Sequence, residues 1–119
     1  MFLDRDTVNF KPQWTYVHSI SVALEHENNA GDSMVEINKL QLFNAPLKVL
    51  VPYPYLRQGP NSADSLLRRY AEAIQLADLF DDFSTLRRQL VIFGSKVNGN
   101  VVWRGFEYLE QAFVPVATS

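Results

Sequence analysis

The hydrophobic pattern at the start of the chain alternates in the way typical of strands. Residues 1–6 combine three apolar with three charged side chains and predict a short strand, and the alternation within residues 14–27 predicts a long one. Because successive side chains of a strand point to opposite faces, the long strand has one bulky apolar face, formed by Ile20, Val22 and Leu24. Its other face carries small residues and then two carboxylates, Glu25 and Glu27.

The pattern then changes to helical spacing and back to a buried strand. A turn containing Gly31 leads into Ser33-Met34-Val35-Glu36, which has the form of a capping box, and a helix is predicted over about residues 34–43. Residues 45–53 form an apolar run that is closed by Pro52 and Pro54, as in a buried strand. A strand, a helix and a strand joined by short connections predict a right-handed crossover between parallel strands.

The second half of the chain predicts another helix and a hairpin. Gly59-Pro60-Asn61-Ser62 breaks the chain, and residues 63–80 carry an apolar stripe at helical spacing. Residues 88–94 and 101–108 are strand-like and flank Asn98-Gly99, which is a strong hairpin signal. The predicted fold is therefore α/β: a mixed sheet with a β-hairpin, a βαβ crossover, a second helix and a C-terminal β-hairpin.

Composition and charge narrow the function classes. The 119 residues fit a single domain, 1–119, and 47% hydrophobic and 20% charged residues are ordinary globular values. The absence of cysteine excludes a disulfide scaffold, a thiolate zinc site and a thiol nucleophile. The N-terminus does not have the pattern of a signal peptide, and no window approaches the ~18 apolar residues of a membrane span. We expect a cytoplasmic protein that does not interact with membranes.

The first predicted helix carries charges within its apolar face. At 100° per residue, one arc of roughly 160° contains Leu42, Val35, Lys39, Phe43, Glu36 and Leu40. We expect this arc to pack on the sheet, leaving outside Met34, Ile37, Asn38 and Gln41. A buried charge is costly unless it is paired. Lys39 is therefore predicted to lie close to Glu25 or Glu27, at the carboxyl end of the preceding strand, where open α/β sheets place their sites.

These residue types favour a divalent cation and phosphate chemistry. Glu25 and Glu27 can share a cation, and their hard oxygen atoms select Mg²⁺, Mn²⁺ or Ca²⁺. Asp4 or Asp6, on a strand that can pair antiparallel with residues 14–27, would complete the site. Lys39 can then orient or help to deprotonate a water molecule, or offset the charge of a phosphate. Carboxylates, a metal ion and a lysine together suit the hydrolysis of a phosphodiester bond.

Three short motifs carry a resemblance to a known family: Val22-Ala23-Leu24-Glu25-His26-Glu27-Asn28, Glu36-x-x-Lys39-Leu40 and Ala45-Pro46-Leu47-Lys48-Val49-Leu50. They resemble the PD-(D/E)XK nuclease superfamily, and specifically its bacterial members with an E-x-E-N strand ending. The segment Trp103-Arg104-Gly105-Phe106-Glu107-Tyr108 resembles the closing strands of such proteins. The resemblance covers most of the chain, with short and degenerate motifs.

The resemblance implies a restriction-endonuclease-like core, Mg²⁺ or Mn²⁺ as cofactor and nucleic acid as substrate. Glu25 matches the acid of the motif, and Glu27 stands where the family usually has lysine. The family also allows the lysine to move to the following helix, which makes Lys39 the counterpart, with Glu36 in a supporting role. The single aspartate of the motif corresponds to Asp4 or Asp6. The first helix and strand of the family core have no counterpart here, so a reduced version or a contribution from a partner chain is implied.

Other interpretations predict different outcomes. The main alternative to a metal-dependent nuclease is a non-catalytic oligomeric binding module that retains the nuclease fold without turnover. For either function we expect a homodimer, because an uncovered sheet side favours pairing. A third interpretation is a small-molecule site lined by Tyr53, Tyr55 and Trp103. His18 and His26 are expected to be packed or at the rim of the sheet, and Asp81-Asp82 to form a solvated turn. A phosphate-binding patch would draw on Arg68, Arg69, Arg87, Arg88, Lys96 and Arg104.

Overall fold

The chain forms one mixed six-stranded sheet with two α-helices. A computed structural model describes residues 2–7, 15–43, 45–78 and 88–116. The strands are β1 (Phe2–Thr7), β2 (Thr15–Glu27), β3 (Leu47–Pro52), β4 (Arg88–Val97), β5 (Asn100–Leu109) and β6 (Ala112–Pro115). The helices are α1 (Ser33–Leu40), which follows a short 3-10 turn (Ala30–Asp32), and α2 (Ala63–Asp78). The predicted α/β class is confirmed.

The strands lie in the sheet in the order in which they occur along the chain, β1-β2-β3-β4-β5-β6. β1 pairs antiparallel with β2, the central strands β2, β3 and β4 are parallel, and β4, β5 and β6 are antiparallel. The predicted N-terminal hairpin, the crossover through α1 and the C-terminal hairpin are therefore present. No helix in the described part of the chain has the length and hydropathy of a membrane-spanning segment.

Both helices pack on the same face of the sheet. The two parallel crossovers step across the sheet in the same direction, and crossovers of one hand then put their helices on one side. A single core cluster joins the sheet residues Ala23, Leu50, Val91 and Phe93 to the helix residues Ile37, Leu40, Leu66, Tyr70 and Ile74. Burial of each large side chain in this cluster contributes about 1.5–3 kcal/mol. The opposite face carries apolar side chains on which no described helix packs, including Leu24, Val49, Val51, Leu90 and Ile92.

The buried face of α1 differs from the predicted one. Ser33, Ile37 and Leu40 are buried, whereas Val35 is exposed and Leu42 is 84% exposed. The prediction was wrong because α1 ends at Leu40, so residues beyond it do not continue the helical projection. Within the shorter helix, the spacing of Ser33, Ile37 and Leu40 defines the stripe that faces the core.

The predicted capping box is also absent. Ser33 is the first residue of α1, and its hydroxyl donates to the Ala30 carbonyl oxygen at 2.5 Å. Because this donation uses the only hydroxyl proton of Ser33, the Tyr70 hydroxyl must donate to Ser33 across a contact of 2.5 Å. Burial raises the pKa of Tyr70 to about 12. A polar contact inside the core thus joins the first turn of α1 to the middle of α2.

Of the two turns in the C-terminal part of the sheet, one was predicted from its sequence and the other was not. Asn98 and Gly99 have φ angles of 50° and 82°, as a type I′ turn requires, and the predicted hairpin is confirmed. β4 continues to Val97, three residues beyond its predicted end. The turn between β5 and β6 also uses positive φ angles, 50° at Glu110 and 73° at Gln111. Neither residue is a usual choice for this conformation, which is why β6 was not predicted.

Candidate functional site

The candidate site lies where the parallel strands β2 and β3 reach their carboxyl ends. Glu25 and Glu27 are the last two residues of β2 on the face that the helices cover, and α1 begins six residues after Glu27. The short connection returns the helix to the same edge of the sheet. Ligand sites of open α/β sheets lie at this edge, outside the carboxyl ends of the strands.

Lys39 lies close to Glu25, as predicted. Its Nζ is 3.9 Å from Glu25 Oε1 and donates to Glu36 Oε2 at 3.1 Å. The hydrogen bond to Glu36 and the negative charge of Glu25 raise the pKa of Lys39 above its ordinary value. Lys39 is therefore an ammonium at neutral pH, suited to stabilising negative charge and not to accepting a proton.

The environment of Lys39 is more open than the sequence predicted. Its side chain is 50% exposed, whereas Glu25 and Glu36 are more covered. Lys39 does not sit in the buried stripe of α1, and its pairing does not compensate for burial in the core. The three side chains instead form a partly solvated cluster at the rim, in which an incoming ligand can reach the ammonium.

Glu27 has a local role in the connection after β2. Its Oε1 accepts a hydrogen bond from the Asn29 backbone N–H at 2.9 Å. Asn29 in turn accepts from the Gly31 backbone N–H at 2.9 Å through its Oδ1. The two side chains order the turn that leads into α1, so Glu27 helps to set where Lys39 lies. Its carboxylate also contributes to the negative charge around Lys39.

Asp4 and Asp6 do not reach this edge. The backbone register places Asp4 opposite Ser19 and Asp6 opposite Tyr16, near the start of β2. Ser19 precedes Glu25 by six residues, a distance of about 20 Å along a strand. The described pairing with β1 extends only to Val22. The predicted four-residue metal set of Asp4, Asp6, Glu25 and Glu27 is therefore not assembled, because the hairpin register separates its halves.

The remaining donors fit a cation only in part. Glu25 and Glu36 offer hard oxygen atoms, and Mg²⁺ is commonly bound by one or two carboxylates together with water and substrate phosphates. Within residues 2–7, 15–43, 45–78 and 88–116, however, no group of three acidic or histidine side chains is placed to hold a metal ion. A cation at this edge would therefore depend on water and a phosphate for most of its ligands.

An aromatic cluster lies on the opposite face of the sheet at the same edge. The Tyr53 hydroxyl and His26 Nε2 share a hydrogen bond of 2.6 Å, and the two rings meet edge to face. The Tyr53 ring centroid is 6.1 Å from that of Trp103 on β5. Gly94 of β4 lies beneath both rings, and a Cβ atom there would come within 2.5 Å of Tyr53 and 2.7 Å of Trp103. His26 is thus an exposed residue with a specific aromatic partner.

A cleft of about 530 Å³ opens beside Tyr53, between the segment after β3 and the end of β4. Its lining includes Tyr53, Tyr55, Arg57, Gly94, Ser95 and Lys96. The interpretation as an aromatic small-molecule site named two of these residues, Tyr53 and Tyr55, but missed the two cations. Their signal was weak, because only the pairing of β3 with β4 brings residues 53–57 next to residues 94–96.

The arginines named from the sequence that lie among the described residues have separate local partners. Arg69 donates to the Pro60 carbonyl oxygen, and Arg88 pairs with Glu107 at 2.7 Å. Arg104 lies over the ring of Phe106 on the same strand. Arg87 and the Asp81-Asp82 turn lie outside the described residues. Of the predicted set, Lys96 is the residue that lines the cleft.

Lys48 is a further charged residue that the sequence analysis did not single out as a site residue. It lies in the central strand β3, opposite Ala23 and Gln89, and is almost fully buried. Beside it, Gln89 and Gln41 exchange two side-chain hydrogen bonds of 2.8 and 2.9 Å that tie the end of α1 to β4. The sequence signal was a lysine inside the apolar run of residues 45–53.

Comparison with known proteins adds no assignment to these observations. No protein-family model, no curated protein and no solved structure matches the chain. Two features at the carboxyl edge of the sheet are candidate functional sites: the Glu25–Lys39–Glu36 cluster and the aromatic cleft.

Proposed function

We propose that the protein has a restriction-endonuclease-like core and acts on phosphodiester bonds of nucleic acid with Mg²⁺ or Mn²⁺. The contact between Glu25 at the end of β2 and Lys39 on the next helix carries the proposal. It matches the arrangement implied by the family resemblance, in which the motif lysine has moved from the strand to the following helix. The predicted spacing and the observed contact support each other.

Each side chain of the cluster has a distinct role in this proposal. Glu25 would hold the cation, which supplies positive charge at the scissile phosphate when bound. Lys39 places an ammonium beside the same phosphate and stabilises the charge that develops in the transition state. Glu36 holds Lys39 in position through its hydrogen bond of 3.1 Å. Glu27 orders the turn that places α1.

The first experiment measures cation binding by thermal unfolding. A ligand that binds only the folded state stabilises it, by about 1.4 kcal/mol at ten times its Kd, which corresponds to a rise in Tm of roughly 5 °C. We expect this rise with Mn²⁺, and we expect Glu25→Gln to abolish it. Glu107→Gln is the matched control, because Glu107 on β5 is a carboxylate that pairs with Arg88 and not with Lys39. If millimolar Mn²⁺ leaves the wild-type Tm unchanged, the cation site is refuted.

The second experiment measures cleavage of single-stranded and branched DNA. Cleavage should require Mn²⁺ or Mg²⁺ and be lost in Glu25→Gln. Lys39→Ala should slow cleavage roughly 100-fold or more, in the range found for one transition-state contact, while the Mn²⁺-dependent Tm rise remains. Equal cleavage rates for wild type and Lys39→Ala would remove Lys39 from the proposal.

A non-catalytic binding module is the second candidate function. It is favoured by the incomplete ligand set, since the described residues bring only the neighbouring carboxylates of β2 and α1 to Lys39. A Mn²⁺-dependent Tm rise without cleavage, or nucleic acid binding without either, would select this candidate.

A further inference from the structure

We propose that the cleft beside Tyr53 binds one nucleotide unit with an unpaired base, so that the protein selects single-stranded over duplex nucleic acid. This inference rests on the proposed function, because it names the kind of nucleic acid on which the proposed nuclease would act.

The rings in the cleft are held in place before any ligand arrives. Tyr53 is fixed on one side by its hydrogen bond to His26 and on the other by contact with Trp103. Gly94 allows both rings to lie directly on the strand backbone. Tyr55 is exposed, and the guanidinium carbon of Arg57 lies 5.2 Å from its ring centroid. A ring that is already immobilised loses little conformational entropy when a base stacks on it.

The charge of the cleft suits a phosphate. Arg57 and Lys96 both line it, and no acidic side chain is among its described lining residues. The chain as a whole has a net charge of −2, whereas the lining of the cleft is positively charged. Because Arg57 lies over the Tyr55 ring, a ligand that joins a planar ring to a phosphate can contact both side chains at once.

Stacking on these rings requires an unpaired base. In a duplex the faces of each base are covered by its neighbours, whereas in a single strand a base can turn out and stack on an aromatic side chain. The cleft volume of about 530 Å³ lies within the range of small-ligand sites and suits one nucleotide. The wall also contains Ser95, whose buried hydroxyl has no hydrogen-bond partner among the described residues.

The cleft is close enough to the proposed catalytic edge to position a strand there. Tyr53 follows β3, the strand next to β2, and adjacent strands are about 4.8 Å apart. His26, which holds Tyr53, lies between Glu25 and Glu27 in the sequence. A nucleotide in the cleft therefore lies about two strand spacings from the end of β2, on the opposite face of the sheet, and its strand would have to pass over the carboxyl edge to bring the adjoining phosphodiester to Glu25 and Lys39.

Binding can be measured without a metal ion, from tryptophan fluorescence in EDTA. The chain has two tryptophans, so Trp14→Phe leaves Trp103 as the only one. We expect an oligothymidylate of about 10 nucleotides, within the site sizes of single-strand-binding folds, to quench Trp103 fluorescence with a micromolar Kd. A duplex of equal length should bind at least roughly tenfold more weakly, because its bases remain stacked.

Variants of the lining residues separate stacking from charge. Tyr55→Ala should weaken oligothymidylate binding roughly tenfold, and Tyr55→Phe should restore it because the ring is kept. Replacing both Arg57 and Lys96 by alanine should reduce the slope of log Kd against log salt concentration by about 1.4. This is the value expected for the loss of two phosphate contacts on a single strand. Arg68→Ala is the matched control, because Arg68 is an exposed cation on α2 that borders a different depression.

The same titration with thymidine monophosphate identifies the source of the nucleotide. Much tighter binding of the oligomer supports a strand as the ligand, and equal binding supports a free nucleotide in the same cleft. Duplex binding as tight as single-strand binding overturns the proposal, as does an unchanged Kd in both the Tyr55→Ala and the double-alanine variants. Because Glu25→Gln should still bind oligothymidylate in EDTA, loss of the proposed cleavage and failure of the cleft give different results.

Discussion

Tyr70 is the largest fully buried side chain among the residues whose burial the structure describes, and its hydroxyl is hydrogen-bonded to Ser33. The contact joins α2 to the first turn of α1, the helix that carries Lys39. The position of Lys39 relative to Glu25 therefore depends on a hydroxyl pair on the inner side of the same helix. Substitution of Tyr70, which does not contact the cluster of Glu25, Lys39 and Glu36, therefore tests how the core supports that cluster.

We expect Tyr70→Phe to lower the free energy of unfolding by about 1 kcal/mol at neutral pH, because one buried hydrogen bond is lost. The difference between wild type and Tyr70→Phe should change at high pH. The folded-state pKa of Tyr70 is raised to about 12 from 10.0, so the unfolded chain loses the phenol proton first. Stability that depends on the neutral phenol is present below pH 10 and is lost as the pH rises towards 12.

The measurement is urea unfolding of both proteins between pH 8 and pH 12. The advantage of wild type over Tyr70→Phe should fall by about 2–3 kcal/mol across the upper half of this range. Ser33→Ala is the control, since it removes the hydrogen bond but keeps the buried phenol. Its free energy of unfolding relative to that of Tyr70→Phe should fall by the same amount over this pH range. A pH-independent difference would mean that the phenol is not buried as described.

At the scale of elements, Gly94 sets how closely the segment after β3 packs on β4. We expect Gly94→Ala to lower the free energy of unfolding by about 1–3 kcal/mol, because the new methyl group overpacks the site and must displace the Tyr53 and Trp103 rings. The variant should also lose oligothymidylate binding. Chemical denaturation and the fluorescence titration check the two effects on the same sample.

Gly105→Ala is the matched control for this substitution. Gly105 lies on the neighbouring strand β5, and a Cβ atom there would lie 3.6 Å from the nearest atom of Val116, an ordinary contact. The change should be neutral or stabilising by up to about 1 kcal/mol. If both alanine variants behave alike, the close approach of the two rings to Gly94 does not matter for the cleft.

Elements with local signals were predictable, and features set by tertiary contacts were not. The alternation in β2, the helical stripe in α2 and the Asn98-Gly99 turn each fix structure within a few residues. The turn at Glu110 and Gln111 has no such signal, because its conformation is imposed by strand pairing. Lys39 was placed near Glu25 by chain connectivity, although the buried face of α1 was wrong. The cleft was visible only as scattered aromatic residues, since its walls are far apart in sequence.

At the scale of the whole molecule, large apolar residues remain exposed on the C-terminal hairpin. The hairpin group includes Val97, Val101, Val102 and Trp103, and Val101 is 53% exposed. Clusters of this kind are commonly covered by association, and two-fold dimers are the simplest solution. The homodimer expected from the sequence is therefore still the prediction.

We expect light scattering at about 10 µM to give the mass of two chains, and Val101→Glu to reduce it to one chain by placing a charge in the apolar contact. Leu76→Glu is the matched control, because Leu76 is an equally apolar, exposed residue on α2, away from the hairpin. A one-chain mass for the wild type would refute the dimer. A dimer that Leu76→Glu disrupts and Val101→Glu does not would place the contact on the helical side.

The strand order of the sheet has a consequence for how the chain is assembled. Since spatial order and sequence order coincide, every strand pairs with the one made just before it, and no ladder has to wait for a distant segment. The connections to be closed are the two helical crossovers and the shorter segments between antiparallel strands, so the entropy of closure is modest because it grows only slowly with loop length. During synthesis the sheet can therefore grow at one edge, because each strand that emerges can pair with the free edge of the strand before it.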